Sequence, residues 1–301
     1  VLLVTAFIWG AAFVAQREGM EHLGPFLFVA LRMLLGAVTL AIVLQLMRLF
    51  GRRRTGGMEP EQNLNGRQLA KAGLACGGIL FFSSSFQQIG LVDIDAGKAG
   101  FLTALYIVLV PILGILLRKK THWNAWAGVL VAAGGLYFLC IKRGQSIAFG
   151  DLITLVGALG WSCHILVVDH FVSGISQRDV LRLCVAQFLT AGALAALACP
   201  LFDGLFTAKV FSWAALVSAA PTYLYVGILS TGVAFTLQAV GQQGLNPTAA
   251  AIIMSLESVF AVICGMVLLG EIMSTREILG CVLVFAAVIL SQLPIGEQRR
   301  T

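Results

Sequence analysis

The chain has 301 residues, 59% of them hydrophobic and 11% charged, with a mean hydropathy of +0.93. A soluble domain carries about 25% charged residues, so this chain has too little polar surface to cover itself in water; ordinary soluble folds are excluded and a polytopic α-helical membrane protein is expected. The net charge of +6 does not point to nucleic acid, because the basic residues sit in short runs between apolar segments, as in loops that face anionic lipid.

Ten apolar segments follow one another, at 1–16, 25–48, 69–90, 97–117, 123–141, 150–169, 180–201, 214–240, 247–269 and 276–294. Each is long enough to cross about 30 Å of hydrocarbon. None alternates with period two, which excludes a β-barrel. The chain opens at Val1 inside the first segment, with no basic n-region and no cleavage site, so no cleavable signal peptide is expected. The longest connection, "LFGRRRTGGMEPEQNLNGRQ", is charged and glycine-rich and reads as a solvated loop. The seven cysteines lie in or beside apolar segments and form no CxxC, so they read as small buried hydrophobes rather than disulfides or metal ligands.

Polar residues inside these segments are the candidates for function. The first segment carries Trp9-Gly10. Arg32 lies about two turns into the second, too deep to ignore, with Glu18 and Glu21 as structural partners. The third holds Ser83–Ser85, Gln87 and Gln88. Lys98 opens the fourth, where it either snorkels to the headgroups or balances an anionic solute, Asp93 or Asp95; Tyr106 follows two turns later. His164 and Asp169 in the sixth have H-x4-D spacing, but five residues along a helix does not place them on one face. The seventh has a lone Gln187, read as interhelical glue. The eighth carries a stripe, Thr231, Ala234, Gln238 and Gln242, spaced 3, 4 and 4, which lines either a cavity or a helix contact. The ninth carries Glu257 near its middle, where a carboxylate costs roughly 2.5–3.5 kcal/mol on insertion scales. Glu257 is therefore expected to face protein or a water-filled cavity, with a hydrogen-bond donor close by. Glu271, at the end of that segment, reads as a helix-end group.

Orientation follows from lysine and arginine. With the N-terminus placed in the cytoplasm, the cytoplasmic loops and flanks hold thirteen basic residues and the far side six, which predicts cytoplasmic termini. Ten spans divide into two sets of five in opposite orientation, 1–141 and 142–301. Trp9-Gly10 in the first segment has a counterpart in Gly160-Trp161 of the sixth, and sliding the chain by 152 residues places Gly128 on Gly280 and Leu116-Leu117 on Leu268-Leu269, a weak echo between the halves.

These residues carry a family resemblance. "LESVFAVICGMVLLGEIMSTREILGCVLVFAAVIL" resembles the C-terminal signature of the EamA-type family of the drug/metabolite transporter superfamily. "AFIWGAAFVAQR", "ALRMLLGAV", "GKAGFLTALYIVLVPILGILLRKK" and "GDLITLVGALGWSCHIL" are similar to its first, second, fourth and sixth spans. The resemblance implies an all-α fold of ten transmembrane helices in two inverted five-helix repeats, placed in a bacterial inner membrane. It also implies export or exchange of small metabolites by alternating access. Ser258 stands where the signature has proline, which puts a kink beside Glu257 in doubt.

The expected function is therefore a secondary transporter for a small, amino-acid-like solute, with the lipid bilayer as its other partner. Trp9, Tyr106, His164, Thr231, Gln238, Gln242 and Glu257 are the expected cavity residues, and Lys98 and Arg32 flank the outer mouth. Proton coupling through Glu257 is open: burial disfavours its charged form and a cationic partner would favour it. No HExxH, GxSxG, Walker A or GxGxxG pattern stands in the required context, so no cofactor, metal or catalytic residue is expected. A membrane enzyme acting on a lipid-linked substrate would need clustered acids or histidines, which these short loops lack. A non-transporting scaffold would not need a mid-membrane charge together with a polar stripe. Single cysteines offer a test of orientation: external labelling should mark the Arg17–Gly24 loop and spare the Arg52–Gln68 loop, and the reverse pattern would reject cytoplasmic termini.

Overall fold

The structure, a computed structural model, describes residues 1–51, 64–119, 123–140, 147–207, 212–269 and 274–292. Glu271 and the basic residues Arg52, Arg53, Arg54, Lys120, Lys142, Arg143, Lys209, Arg299 and Arg300 lie outside the described residues. Among those described there is no strand. The helices are α1 (Leu2–Gly19), α2 (Pro25–Gly51), α3 (Gly66–Asp93), α4 (Ala96–Ala104), α5 (Tyr106–Leu116), α6 (Trp123–Cys140), α7 (Phe149–Val172) and α8 (Gln177–Phe206). They continue with α9 (Trp213–Ser218), α10 (Ala220–Tyr225), a π-helical run (Val226–Ala234), α11 (Phe235–Gln242), α12 (Pro247–Met254), α13 (Leu256–Leu269) and α14 (Thr275–Gln292).

Seven stretches among the described residues are long and apolar enough to cross a membrane: Pro25–Leu49, Gly66–Asp93, Ala96–Leu116, Phe149–Val172, Gln177–Phe206, Ala220–Gln242 and Pro247–Cys264. The other three expected segments are occupied by α1, α6 and α14, of 18 residues each, or about 27 Å at 1.5 Å per residue.

Three expected single helices are interrupted. The fourth segment breaks at Leu105 between α4 and α5, and the ninth at Ser255 between α12 and α13. Proline is not needed for the second break. Ser255 turns its hydroxyl back onto the Ile252 carbonyl at 2.7 Å, and Ser258 donates across to the Gly100 carbonyl of α4 at 3.2 Å. The doubt raised by the missing proline thus resolves into a break three residues upstream of Ser258. In the eighth segment the wider i→i+5 winding of the π run changes the phase between the residues before and after it.

Polarity is arranged for a lipid solvent. Leu3, Ile42, Leu74, Ile115, Leu130 and Leu197 are exposed, while Arg32, Gln87, Gln88, Gln187, Gln238 and Glu257 are buried. In water such a surface would drive aggregation; against acyl chains an exposed leucine meets its own kind. Two large apolar clusters fill most of the interior, beside a small one of Phe26, Ile89 and Ala198. One gathers Val29, Met33, Leu80, Leu183 and Phe188 from α2, α3 and α8, and the other Phe13, Leu102, Val129, Ile252 and Val284 from α1, α4, α6, α12 and α14.

Four acids on α7 and α8 tie this bundle together at its two ends. At one end Asp151 holds Lys98 at 2.7 Å, and Asp203 accepts from the backbone N–H groups of Phe26 (2.8 Å) and Leu27 (3.0 Å) at the start of α2. A carboxylate there satisfies two of that helix's orphan donors and meets the positive end of its dipole. At the opposite end Asp169 pairs with Lys119. Asp179 accepts from the Leu64 N–H at 2.7 Å, just ahead of α3, and pairs with Arg182 at 2.6 Å.

Small residues set the helix spacing. A Cβ at Gly10 would meet Phe260 Cβ at 2.6 Å, the Ala261 nitrogen at 2.7 Å and the Glu257 carbonyl at 2.7 Å, so α1 lies backbone to backbone against α13. Backbone cannot yield as a side chain can. Gly10→Val should destabilise the protein by about 1–3 kcal/mol, the usual scale of overpacking, read as a lower melting temperature in detergent. An unchanged melting temperature would mean that this contact is not tight in the folded protein.

Candidate functional site

The helix breaks and the close approach of α1 to α13 converge on one cavity. It spans about 450 Å³ of non-atom space, its open mouth included. Its wall is part aromatic and part polar. Phe235 lies between two tryptophans, 4.8 Å from Trp9 and 5.7 Å from Trp161, centroid to centroid, and stacks on the latter. Trp9 donates from Nε1 to the Ser230 carbonyl at 3.2 Å, whereas the buried Trp161 Nε1 has no partner.

The polar wall is built from the broken helices. Glu257 is the second residue of α13, and only 3% of it is exposed. Its carboxylate thus sits in the first turn of a half-helix, where free N–H groups and the dipole favour negative charge. Tyr106, the first residue of α5, donates to Glu257 Oε1 at 3.2 Å. Nearby Gln87 donates to Thr103 Oγ1 at 3.1 Å, while the buried Gln16 Oε1 is unpartnered. Arg32 completes the wall from α2. No group of three or more His, Cys, Asp or Glu among the described residues could hold a metal. The lining thus combines an aromatic surface with one arginine, one glutamate and several amides and hydroxyls.

A profile of the EamA-like transporter family matches residues 1–141 and 148–293. The chain belongs to the EamA-like transporter family. It is 29% identical to an uncharacterized transporter of Archaeoglobus fulgidus over 98% of this chain and 85% of that one. It is 23% identical to the uncharacterized transporter YoaV of Bacillus subtilis, covering 99% and 97% of the two chains. With the threonine/homoserine exporter RhtA of Escherichia coli it shares 24% identity, over 69% of this chain and 71% of the relative. A crystal structure superposes with a TM-score of 0.73 at 20% identity, over 97% of this chain and 95% of its own. The protein is therefore a multi-pass membrane transporter of a small molecule.

In this EamA-like transporter, Trp9, Arg32, Tyr106, Gln238 and Glu257 line this cavity, and Lys98, His164, Thr231 and Gln242 are not part of its lining. Lys98 pairs with Asp151 on α7 rather than with Asp93 or Asp95. His164 sits one layer behind the wall, its Nε2 on Gln187 Oε1 at 3.1 Å and its ring edge-on to Trp161. Asp169 is taken by Lys119, so the H-x4-D pair is not a working unit. Thr231 falls in the π run, where it packs against Gly36 of α2. Gln242 donates to the Ile165 carbonyl at 3.0 Å and so serves as interhelical glue. The 3-4-4 spacing put Thr231 on the face of Gln238 because it assumed α-helical winding throughout; Gln242 lies one turn beyond Gln238 in the same α-helix, and its amide is taken by the Ile165 carbonyl.

Sequence reasoning passed over Trp161, Gln16, Thr103, Ser230 and Phe235 as cavity residues. The signal for Trp161 was present: it is the 152-residue counterpart of Trp9, and both enter the same cavity. Phe235 and Ser230 gave none, since phenylalanine and serine inside an apolar segment do not stand out.

The Tyr106–Glu257 contact can be weighed by a double-mutant cycle. With Tyr106→Phe, Glu257→Gln and the pair together, stability in detergent should show a coupling of about 0.5–3 kcal/mol. Strict additivity would show that the two side chains do not act together.

Proposed function

We propose that this protein exports a small, amino-acid-like solute across a bacterial inner membrane by alternating access, with the cavity between Trp9, Trp161, Arg32 and Glu257 as the binding site. The observation that carries this reading is the cavity itself: it combines aromatic faces with opposite charges, inside a chain whose relatives are named as transporters. The exporter name of RhtA favours outward movement of an amino acid. Catalysis has no equivalent support, since His164 and Asp169 are each engaged elsewhere.

Ten crossings in two inverted halves, 1–141 and 142–301, form the frame of this reading. Its support is the packing. α2 lies along α8 and α6 along α14, the second span with the seventh and the fifth with the tenth. α3 packs on α7 while α1 packs on the π run, so the third span meets the sixth as the first meets the eighth. Such exchange of partners is what a two-fold relation between halves produces. The broken fourth and ninth segments, and Trp9 with Trp161, obey the same relation. Both termini lie in the cytoplasm in this frame.

The carboxylate contacts then fall into two clasps. Asp151 with Lys98 and Asp203 with the start of α2 close the outer end; Asp169 with Lys119 and Asp179 with Leu64 close the inner end. Alternating access opens one clasp at a time while the other holds.

Purified protein in liposomes, tested for efflux against the L-amino acids including threonine and homoserine, addresses the reading directly. At least one solute should move, and Trp9→Ala and Gln238→Ala should each slow it about tenfold or more. No movement of any solute, or movement indifferent to both substitutions, would reject the cavity as the pathway. Proton coupling is tested by Glu257→Gln across a pH series: a variant with wild-type rate and pH dependence would take Glu257 out of the mechanism.

A further inference from the structure

Arg32 stands out among the charged groups of this protein. Its guanidinium keeps its proton inside proteins, yet 2% of the residue is exposed. Nε and Nη2 are buried without a partner, and no ion pair or hydrogen bond reaches the side chain among the described residues. No acid among the described residues forms an ion pair with it, the expected Glu18 and Glu21 included. Glu21 pairs with Arg17, Asp151 with Lys98, and Asp203 with the start of α2. Glu257 lines the same cavity but accepts from Tyr106 and forms no ion pair with Arg32. An unpaired cation at this depth is costly, and a packed structural arginine would have its five donors satisfied.

We propose that Arg32 is an anion subsite that binds the carboxylate of the transported solute, with Glu257 and the Gln16 amide facing its cationic end. The assignment rests on the transport reading above for the word transported, but not for the binding itself. The fork of a guanidinium matches the two oxygens of a carboxylate. Charge balance selects among anions. One guanidinium opposite one carboxylate leaves the cavity near neutrality, which suits a zwitterion with a single carboxylate and disfavours a dianionic phosphate. The partnerless Gln16 Oε1 adds an acceptor for an ammonium group.

Binding is read by thermal shift of the purified full chain, using the free L-amino acids, the same compounds as carboxamides, and inorganic phosphate. At least one free acid should raise the melting temperature of the wild type. Its carboxamide should bind about 100-fold more weakly, the scale expected when one partner of a buried charge pair is removed. Arg32→Gln should lose the distinction between acid and carboxamide, and Arg32→Lys should retain part of it. A second readout needs no ligand. Since the cation is unpartnered in the empty protein, Arg32→Met should melt at or above the wild-type temperature. A large fall instead would make Arg32 a structural residue and overturn the proposal. Equal response to acids and carboxamides, response to phosphate alone, or no response to any free acid would each overturn it as well. Binding of acids without movement in liposomes would sink the transport reading and leave the subsite standing.

Discussion

Two helices stop and restart inside the bundle, at Leu105 and Ser255, and the rest of the site follows from that constraint. Where no water is available, freed backbone groups must face protein or a cavity, never lipid. The breaks therefore lie at the centre of the molecule, with α1 pressed on α13 at Gly10 and Ser258 bonded across to α4. Each break starts a half-helix, and the first residues of these half-helices, Tyr106 and Leu256-Glu257, bring the hydroxyl and carboxylate together. A carboxylate that would be prohibitive in the middle of a continuous helix becomes tolerable at the start of one.

Polarity inside and out follows the same physics. The apolar exterior gains nothing from helix association in lipid, so the helices are held by close approach of small residues and by a few charged or hydrogen-bonded contacts. Both devices are present. Glycines bring α1 to α13 and α2 to the π run, and acids on α7 and α8 close the bundle's ends. Between them lies a cavity with an aromatic wall, Trp9–Phe235–Trp161, and a polar wall on which Arg32 Nε and Nη2 and Gln16 Oε1 are buried without a partner.

Much of this was legible in the sequence because the bilayer simplifies the code. Span length alone located a helix at each apolar segment, and the energetic penalty on a lone acid pointed Glu257 inward before any coordinates. Arg32 and Tyr106 were found the same way, by depth. What escaped was whatever depends on local winding. The π run is invisible to a 3.6-residue period, so Thr231 was assigned to the face of Gln238, and periodicity cannot show that Gln242, one turn further on, is bonded to the Ile165 carbonyl. A kink beside Glu257 was put in doubt because Ser258 replaces the signature's proline, whereas the helix is interrupted at Ser255, where a serine hydroxyl returns to its own backbone. The Lys98–Asp151 pair joins residues 53 apart, and nothing in the sequence ranks Asp151 above the nearer Asp93 and Asp95.

The carboxylates have a further consequence. Asp151, Asp169, Asp179, Asp203 and Glu257 all belong to the second half, and each reaches a donor in the first: Lys98, Lys119, Leu64, Phe26 with Leu27, and Tyr106. Among the described residues, no carboxylate of the first half reaches back. The acids of these contacts fall on one side of the chain's midpoint and their donors on the other. Two copies of the first half would set donors against donors, and two of the second would set acids against empty space. A chain cut between residues 141 and 147 would therefore reassemble as a heterodimer, each piece selecting its complement over itself.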